Sequence, residues 1–132
     1  MSLRLKTEDA LAARLAVAAG KPAEYIVQAG HRIADLQLPA VIVHSETSEP
    51  VVEGSAQSER KVMTQCSILT PLETATAVTT HRAAFEWLNS SLSAITALSS
   101  VTFMGGYLGS ETTGSNDKVQ QDSVQYTAFV SP

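Results

Sequence analysis

Few side chains in this sequence have the chemistry of a catalytic or metal site: His31, His44, His81 and the single cysteine, Cys66. None of the histidines stands at the i, i+4 or His-Glu-x-x-His spacing that makes a metal motif specific, so we expect no metal site. Cys66 falls on the apolar side of an alternating segment. Burial there would raise the pKa of its thiol, the opposite of what a thiolate nucleophile needs. A pairing of Cys66 with a distant histidine stays open, because such partners meet only in space.

The glycine-rich run Gly-Gly-Tyr-Leu-Gly, residues 105–109, invites comparison with a phosphate-binding loop. No Lys-Ser or Lys-Thr pair follows it, and no helix opens after it to receive an anion. Glycines inside a strand more often mark a bulge or the close approach of another backbone, here including that of a neighbouring subunit. We therefore expect a bulge or a packing role, and no cofactor.

Length and composition limit the classes of function. The chain has 132 residues, 44% hydrophobic and 17% charged, which suits one compact module with one core. The formal charge is −4, and Arg60-Lys61 is the only adjacent basic pair, so nucleic-acid binding is not favoured. The N-terminus lacks the pattern of a secretory signal, and the uncharged stretch 87–110 is too polar for a membrane span.

Two helices are predicted. The first covers residues 7–19: Thr7 is the candidate N-cap, and Glu8 and Asp9 lie at the positive end of the helix dipole. Leu11 and Leu15 form its apolar stripe, continued by Ala18 or Ala19. The second helix covers residues 74–91 and places Trp87 at its edge. Its apolar stripe consists of Val78, His81 or Arg82, Phe85, Leu88 and Leu92.

Four strands are predicted from β-branched or alternating segments at 39–45, 60–70, 101–107 and 124–130. Residues 22–38 are ambiguous: 25–27 could form a short strand, and Ile33, Leu36 and Leu38 are candidate core anchors. Two polar connections, 46–59 and 109–122, are predicted as long loops. The expected fold class is α+β, with two helices on one face of a mainly antiparallel sheet built from two β-hairpins, all in a single domain 1–132.

This order of elements resembles that of the tail terminator and tail-completion (head-tail joining) proteins of long-tailed bacteriophages. The resemblance covers nearly the whole chain as a pattern. It includes the strand opening Leu-Pro-Ala-Val-Ile-Val at 38–43, the helix segment His-Arg-Ala-Ala-Phe-Glu-Trp-Leu at 81–88 and the closing segment Asp-Ser-Val-Gln-Tyr-Thr-Ala-Phe at 122–129. It implies a structural protein of the virion without enzymatic activity.

The resemblance also implies partners. Proteins of this family form a hexameric ring at the head-proximal end of the tail, contact the tail tube protein and the head-tail connector proteins, and let DNA pass through the lumen. By position, the two predicted loops would make these contacts. The expected interface residues are Glu49, Val51, Val52, Glu53, Glu111, Asn116, Asp117 and Lys118.

Two other functions remain open at this point. A capsid decoration protein or another connector subunit would also be small, non-enzymatic and rich in loops. A small ligand-binding or enzymatic α+β domain would instead bring His44, Cys66 and His81 together in a concave pocket.

Overall fold

The computed structural model of the chain describes residues 2–30, 38–51, 59–72, 76–116 and 118–132. These residues form helices α1 (Leu3–Ala16) and α2 (Ala77–Ser93) and strands β1 (Ile26–Ala29), β2 (Ala40–Pro50), β3 (Arg60–Pro71), β4 (Thr102–Ser115) and β5 (Val119–Ser131). The strands make one sheet in the order β1-β2-β3-β5-β4, in which only the β1–β2 pair is parallel. The predicted α+β class, with two helices on one face of a mainly antiparallel sheet, is confirmed.

One face of the sheet and one stripe of each helix make the hydrophobic core. Side chains alternate between the two faces of a strand, so the predicted alternation in β3 and β5 sends every second residue toward the helices. These residues are buried: Val62, Cys66 and Ile68 on β3, and Val124, Tyr126, Ala128 and Val130 on β5. We call this side of the sheet the helix-covered face.

Helix α1 begins earlier than predicted. Ser2 is its N-cap, and the Ser2 side chain accepts a hydrogen bond from the Leu5 N–H at 3.2 Å. The predicted cap, Thr7, lies inside the helix, fully buried, and donates to the Leu3 carbonyl at 2.8 Å. Since nothing in residues 3–6 opposes a helix, the earlier serine takes the capping position. The predicted stripe at Leu11 and Leu15 is confirmed, since both are fully buried.

Helix α2 buries a stripe of five residues: Ala77, His81, Ala84, Leu88 and Leu92. The predicted positions 81, 88 and 92 are therefore correct. Val78, by contrast, is 61% exposed, and Arg82 is also exposed. Phe85 is half-buried at the side of the stripe. The small residues Ala77 and Ala84, rather than their larger neighbours, face the sheet and let the helix approach it closely.

The ambiguous segment 22–38 supplies strand β1, which pairs Ile26 with Ala40 and Ala29 with Val43. Leu38, expected as a core anchor, is 38% exposed, so that expectation is wrong. The other two expected anchors, Ile33 and Leu36, lie outside the described residues.

Where β1 ends, polar side chains of α1 take over the hydrogen bonding to the backbone edge of β2. The Ser45 N–H donates to the Glu8 carboxylate at 2.7 Å, and Arg4 donates to the Ser45 carbonyl at 2.8 Å. Glu8 is only 5% exposed and lies in the second turn, so its role is to satisfy this buried backbone group rather than the helix dipole. These two bonds attach α1 to the sheet.

The second predicted loop is mostly strand. Residues 109–115 belong to β4 and residues 119–122 to β5, and the two strands are joined by a connection of three residues, 116–118. The side chains of 109–116 are exposed, so they carry no apolar alternation from which a strand could be recognised. Backbone pairing with β5 holds them, with register shifts at Phe103/Gly105 and Leu108/Glu111. The first predicted loop is shorter than expected, because β2 continues to Pro50.

Candidate functional site

Two expected interface residues of the β2–β3 connection, Glu49 and Val51, lie at the end of strand β2 or directly after it. Glu49 extends from β2 and forms an ion pair with Lys61 of β3 at 3.8 Å. Val51 is 41% exposed, and its N–H donates to the Glu59 carbonyl at 3.3 Å. Two further predicted residues, Val52 and Glu53, lie outside the described residues. The described part of this connection therefore presents one partly exposed ion pair and one exposed valine.

The expected interface residues of the β4–β5 connection are divided between a strand and a turn. Glu111 is an exposed residue of β4, paired in register with Val124. The Asn116 side chain accepts hydrogen bonds from the backbone N–H groups of Lys118 and Val119, both at 2.8 Å, so it builds the turn. Asp117 lies outside the described residues.

The Lys118 carbonyl accepts from the Leu72 N–H at 2.8 Å, which anchors this turn to the end of β3. The Lys118 side chain itself is exposed and free to meet a partner.

These two connections lie at opposite ends of the sheet. Arg60, the first residue of β3, pairs with Pro50 and Val130, whereas its last residue, Pro71, pairs with Val119. A strand of twelve residues at about 3.3 Å per residue spans roughly 36–40 Å. The two predicted contact regions can therefore meet two different partners at the same time.

The sheet has a second face, opposite the helices, which we call the open face. Its central side chains are Met63, Gln65, Ser67 and Leu69 of β3, Gln125, Thr127 and Phe129 of β5 and Tyr107 of β4. The Tyr107 and Phe129 rings contact each other with centroids 6.2 Å apart, and Tyr107 is 53% exposed. Along β3, β5 and β4, all fully described, Lys61 is the only charged residue of this face.

A chain of hydrogen bonds links Tyr25, which directly precedes β1, with β3, α2 and β5. The Tyr25 hydroxyl bonds the Thr70 hydroxyl at 2.6 Å, Thr70 bonds His81 Nδ1 at 2.7 Å, and His81 Nε2 bonds Asp122 Oδ2 at 2.7 Å. One direction satisfies every group: Tyr25 donates to Thr70, Thr70 donates to Nδ1, and the Nε2–H donates to the carboxylate. Burial raises the pKa of Tyr25, more than its bond to Thr70 lowers it, so the phenol keeps the proton that it donates.

This chain of hydrogen bonds resembles a hydroxyl–histidine–carboxylate triad only in composition. Thr70 is 5% exposed and His81 is 2% exposed, and the threonine oxygen already has two partners. A nucleophile needs an accessible oxygen and a base free to take its proton. The hydrogen bonds therefore hold α2 against β3 and β5. These hydrogen bonds could not be predicted from the sequence, because Asp122 is 41 residues from His81 and only the fold brings the two side chains together.

The other candidate catalytic residues have separate surroundings. Cys66 is fully buried in the core, as expected, and burial raises the pKa of its thiol to about 12. His44 lies 3.6 Å from Glu8. Within the described ranges, no three His, Cys, Asp or Glu side chains form a group that could hold a metal ion, and His31 lies outside those ranges. No helix of the described residues is long and apolar enough to cross a membrane.

The adjacent glycines of β4 have packing roles, as expected. Gly105 sits at a register shift with a φ of +146°, a conformation that side chains disfavour. At Gly106 a Cβ would overlap the Tyr126 hydroxyl and lie 2.9 Å from the Thr127 carbonyl. The close approach that the sequence predicted is thus made by a tyrosine of the same chain.

Comparison with known proteins places this fold beside that of a virion component. No protein-family model matches the chain, and no curated protein matches it significantly. Among solved structures, a chain from the virion of a native gene transfer agent (GTA) particle is similar, with a TM-score of 0.66. The two chains are 15% identical over 99% of this chain and 100% of the other. At this identity the match establishes a shared fold over the full length of both chains.

Proposed function

We propose that this chain is a structural protein of a bacteriophage-like virion, assembled in the host cytoplasm, that forms a ring at the neck. The ring caps the tail tube and joins it to the head connector. The observation that carries the proposal is the similarity in fold, over 99% of this chain, to a chain of a GTA virion. A purely structural role also agrees with the burial of Cys66 and His81, two of the three side chains expected to converge in a catalytic pocket.

The separation of the two connections supports the position at a joint. A protein that joins a tube to a connector must contact one partner at each end. The end of β2 with Glu49 and Val51 and the turn with Asn116 and Lys118 lie at opposite ends of strands roughly 36–40 Å long. We assign one end to the tail tube protein and the other to the connector.

The charge of the chain agrees with a lumen through which DNA passes. Six copies at −4 each carry a formal charge of −24. A ring of this sign repels phosphates rather than binding them, so it does not retain DNA during passage.

Imaging of assembled particles by cryo-electron microscopy tests the position. We expect six-fold density with this fold between tail tube and head, and loss of the gene should give heads without tails and tubes of uncontrolled length. Three-fold clusters over the shell would instead indicate a capsid decoration protein. Absence of the protein from purified particles would refute a virion role altogether.

Variants at the two ends test the assignment of partners. Val51→Asp and Lys118→Glu change exposed side chains, and neither removes the backbone bonds of its connection. We expect both proteins to fold, and each to fail at one joint only. One variant should leave tubes uncapped, and the other should leave capped tails detached from heads. Ala83→Asp, at an exposed position of α2, is the control that should assemble normally. Identical defects in both variants would contradict the division of partners.

A further inference from the structure

Two apolar features that lie at the surface of the described residues are on opposite sides of the molecule. On the open face, the Tyr107 ring stands beside Phe129 and is 53% exposed. On the helix side, a cleft of about 440 Å³ runs between α1 and the segment 97–99, with Ala13, Val17 and Ala97 among its walls. Val17, just after the end of α1, is 77% exposed. A contact between copies that seats the ring in the cleft would cover both features.

The open face is large enough for such a contact. Strands β2, β3, β5 and β4 cover a width of about 19 Å at 4.8 Å per strand, and β3 is roughly 36 Å long, which gives about 700 Å². A stable protein interface buries about 800 Å² on each partner. The sheet area of the open face, with β4 included, approaches this value.

The composition of the open face is that of the centre of an interface. Such centres are depleted in charge and enriched in tyrosine, phenylalanine and methionine. Here Met63, Tyr107 and Phe129 cluster around paired positions of three strands, and Lys61 is the only charge along β3, β5 and β4. Strand β2 adds Glu49, which pairs with Lys61, and Glu46, which lies beside Gln65. The helix side, by contrast, exposes charged residues of both signs.

We infer that the open face of one copy packs on α1 and the segment 97–99 of the next copy, with Tyr107 in the cleft between Ala13 and Ala97. Because the two surfaces differ, the contact is head-to-tail, the type that closes into a ring when the rotation permits. Arg14 lines the same cleft, and a guanidinium beside a seated tyrosine ring adds a favourable cation–π contact. The inference rests on the proposed ring and names the surfaces that build it.

Three charge substitutions on the purified full chain test the contact by sedimentation velocity over a range of concentrations. Tyr107→Glu places a carboxylate on the open face, Ala13→Glu places one in the cleft, and Ala83→Glu places one on an exposed part of α2 outside the cleft. We expect the first two to raise the dissociation constant at least about tenfold, because burial of an unpaired charge is unfavourable. The Ala83→Glu variant should associate like the wild type. Equal unfolding midpoints of the three variants show that folding is preserved.

An equimolar mixture of the Tyr107→Glu and Ala13→Glu variants gives the decisive result. Tyr107→Glu keeps an intact cleft and Ala13→Glu keeps an intact open face, so the mixture should form dimers and nothing larger. If Ala13→Glu assembles normally while Tyr107→Glu does not, the open faces pair with each other and the head-to-tail contact is wrong. A wild type that stays monomeric at every concentration also overturns the inference. Association as expected, with no protein found in particles, would refute only the neck function.

Discussion

The two faces of the sheet differ in how deeply the same strands bury their alternate residues. On the helix-covered face, Val62 and Cys66 are fully buried under the helices. On the open face, their neighbours Met63 and Gln65 are only partly buried, and Tyr107 is exposed by half. Burial on the first face stabilises the monomer, whereas along β3 and β5 the open face buries only the small polar side chains of Ser67, Ser123 and Thr127. Under the proposed contact, the same strands serve folding on one side and association on the other.

The largest expected contrast is between a core leucine and the exposed tyrosine. Leu88→Ala removes a fully buried side chain from under the helix and should lower the free energy of unfolding by about 2–5 kcal/mol. Tyr107→Ala should lower it by less than about 1 kcal/mol, because half of that side chain is in solvent. Urea unfolding measures both values. Similar losses for the two variants would mean that the open face stabilises the monomer itself.

The next contrast compares two glycines of β4. Gly106→Ala forces a Cβ into Tyr126 on the helix-covered face, so we expect a loss of about 1–3 kcal/mol. Gly114→Ala is the matched control, since nothing lies within 4 Å of its Cβ position, and it should change stability by less than about 0.5 kcal/mol. Thermal unfolding of the two variants distinguishes a specific overlap from a general intolerance of β4 to substitution.

Two carboxylates provide a further contrast. Glu8→Ala leaves the buried N–H of Ser45 without its acceptor and should lower the free energy of unfolding by about 1–3 kcal/mol. Glu49→Ala breaks the partly exposed pair with Lys61, worth about 0–1 kcal/mol. Chemical denaturation gives the two energies, and hydrogen exchange at Ser45 should accelerate only in Glu8→Ala. An equal effect of both variants would contradict the role of Glu8 at the β2 edge.

The last contrast appears only at alkaline pH and reports on the helix-covered face. Burial raises the pKa of Cys66 to about 12, and burial together with Cys66 raises that of Tyr126 to about 12, from ordinary values of 9.0 and 10.0. Between pH 9 and 12 the unfolded chain thus binds fewer protons than the folded one, so the free energy of unfolding should fall as pH rises.

Denaturant unfolding as a function of pH measures this slope. Tyr126→Phe should make it shallower above pH 10, whereas Tyr107→Phe removes the same hydroxyl from the open face and is the matched control. A larger change for Tyr107→Phe would contradict the assignment of the effect to the helix-covered face.

Much of the fold could be predicted because its signals are local. Leu11 and Leu15 recur at helical spacing, and the residues of 62–68 and 124–130 alternate with the period of a strand, so their buried faces were correctly identified. The predicted fold class followed from the order of these segments. The start of α1 was misplaced because Ser2 and Thr7 are both good caps, and only the packing of Thr7 into the core decides between them.

Other features could not be predicted because they depend on contacts between distant residues. The strand at 109–115 has no buried face and is held by pairing with β5. The bond between His81 and Asp122 joins residues 41 positions apart, and the parallel pairing of β1 with β2 depends on the path of the chain between them.

The sequence by itself determined the two helices, the main strands, the buried cysteine and the acidic charge, since each depends on residue type and local spacing. The tertiary structure alone decided which apolar residues remain at the surface. Tyr107 stays exposed because the helices cover only one side of the sheet, and Glu8 is buried because β1 ends before the edge of β2 does. The tertiary structure also decided that the two connections lie at opposite ends of the sheet, because strand pairing sets the direction in which each hairpin points.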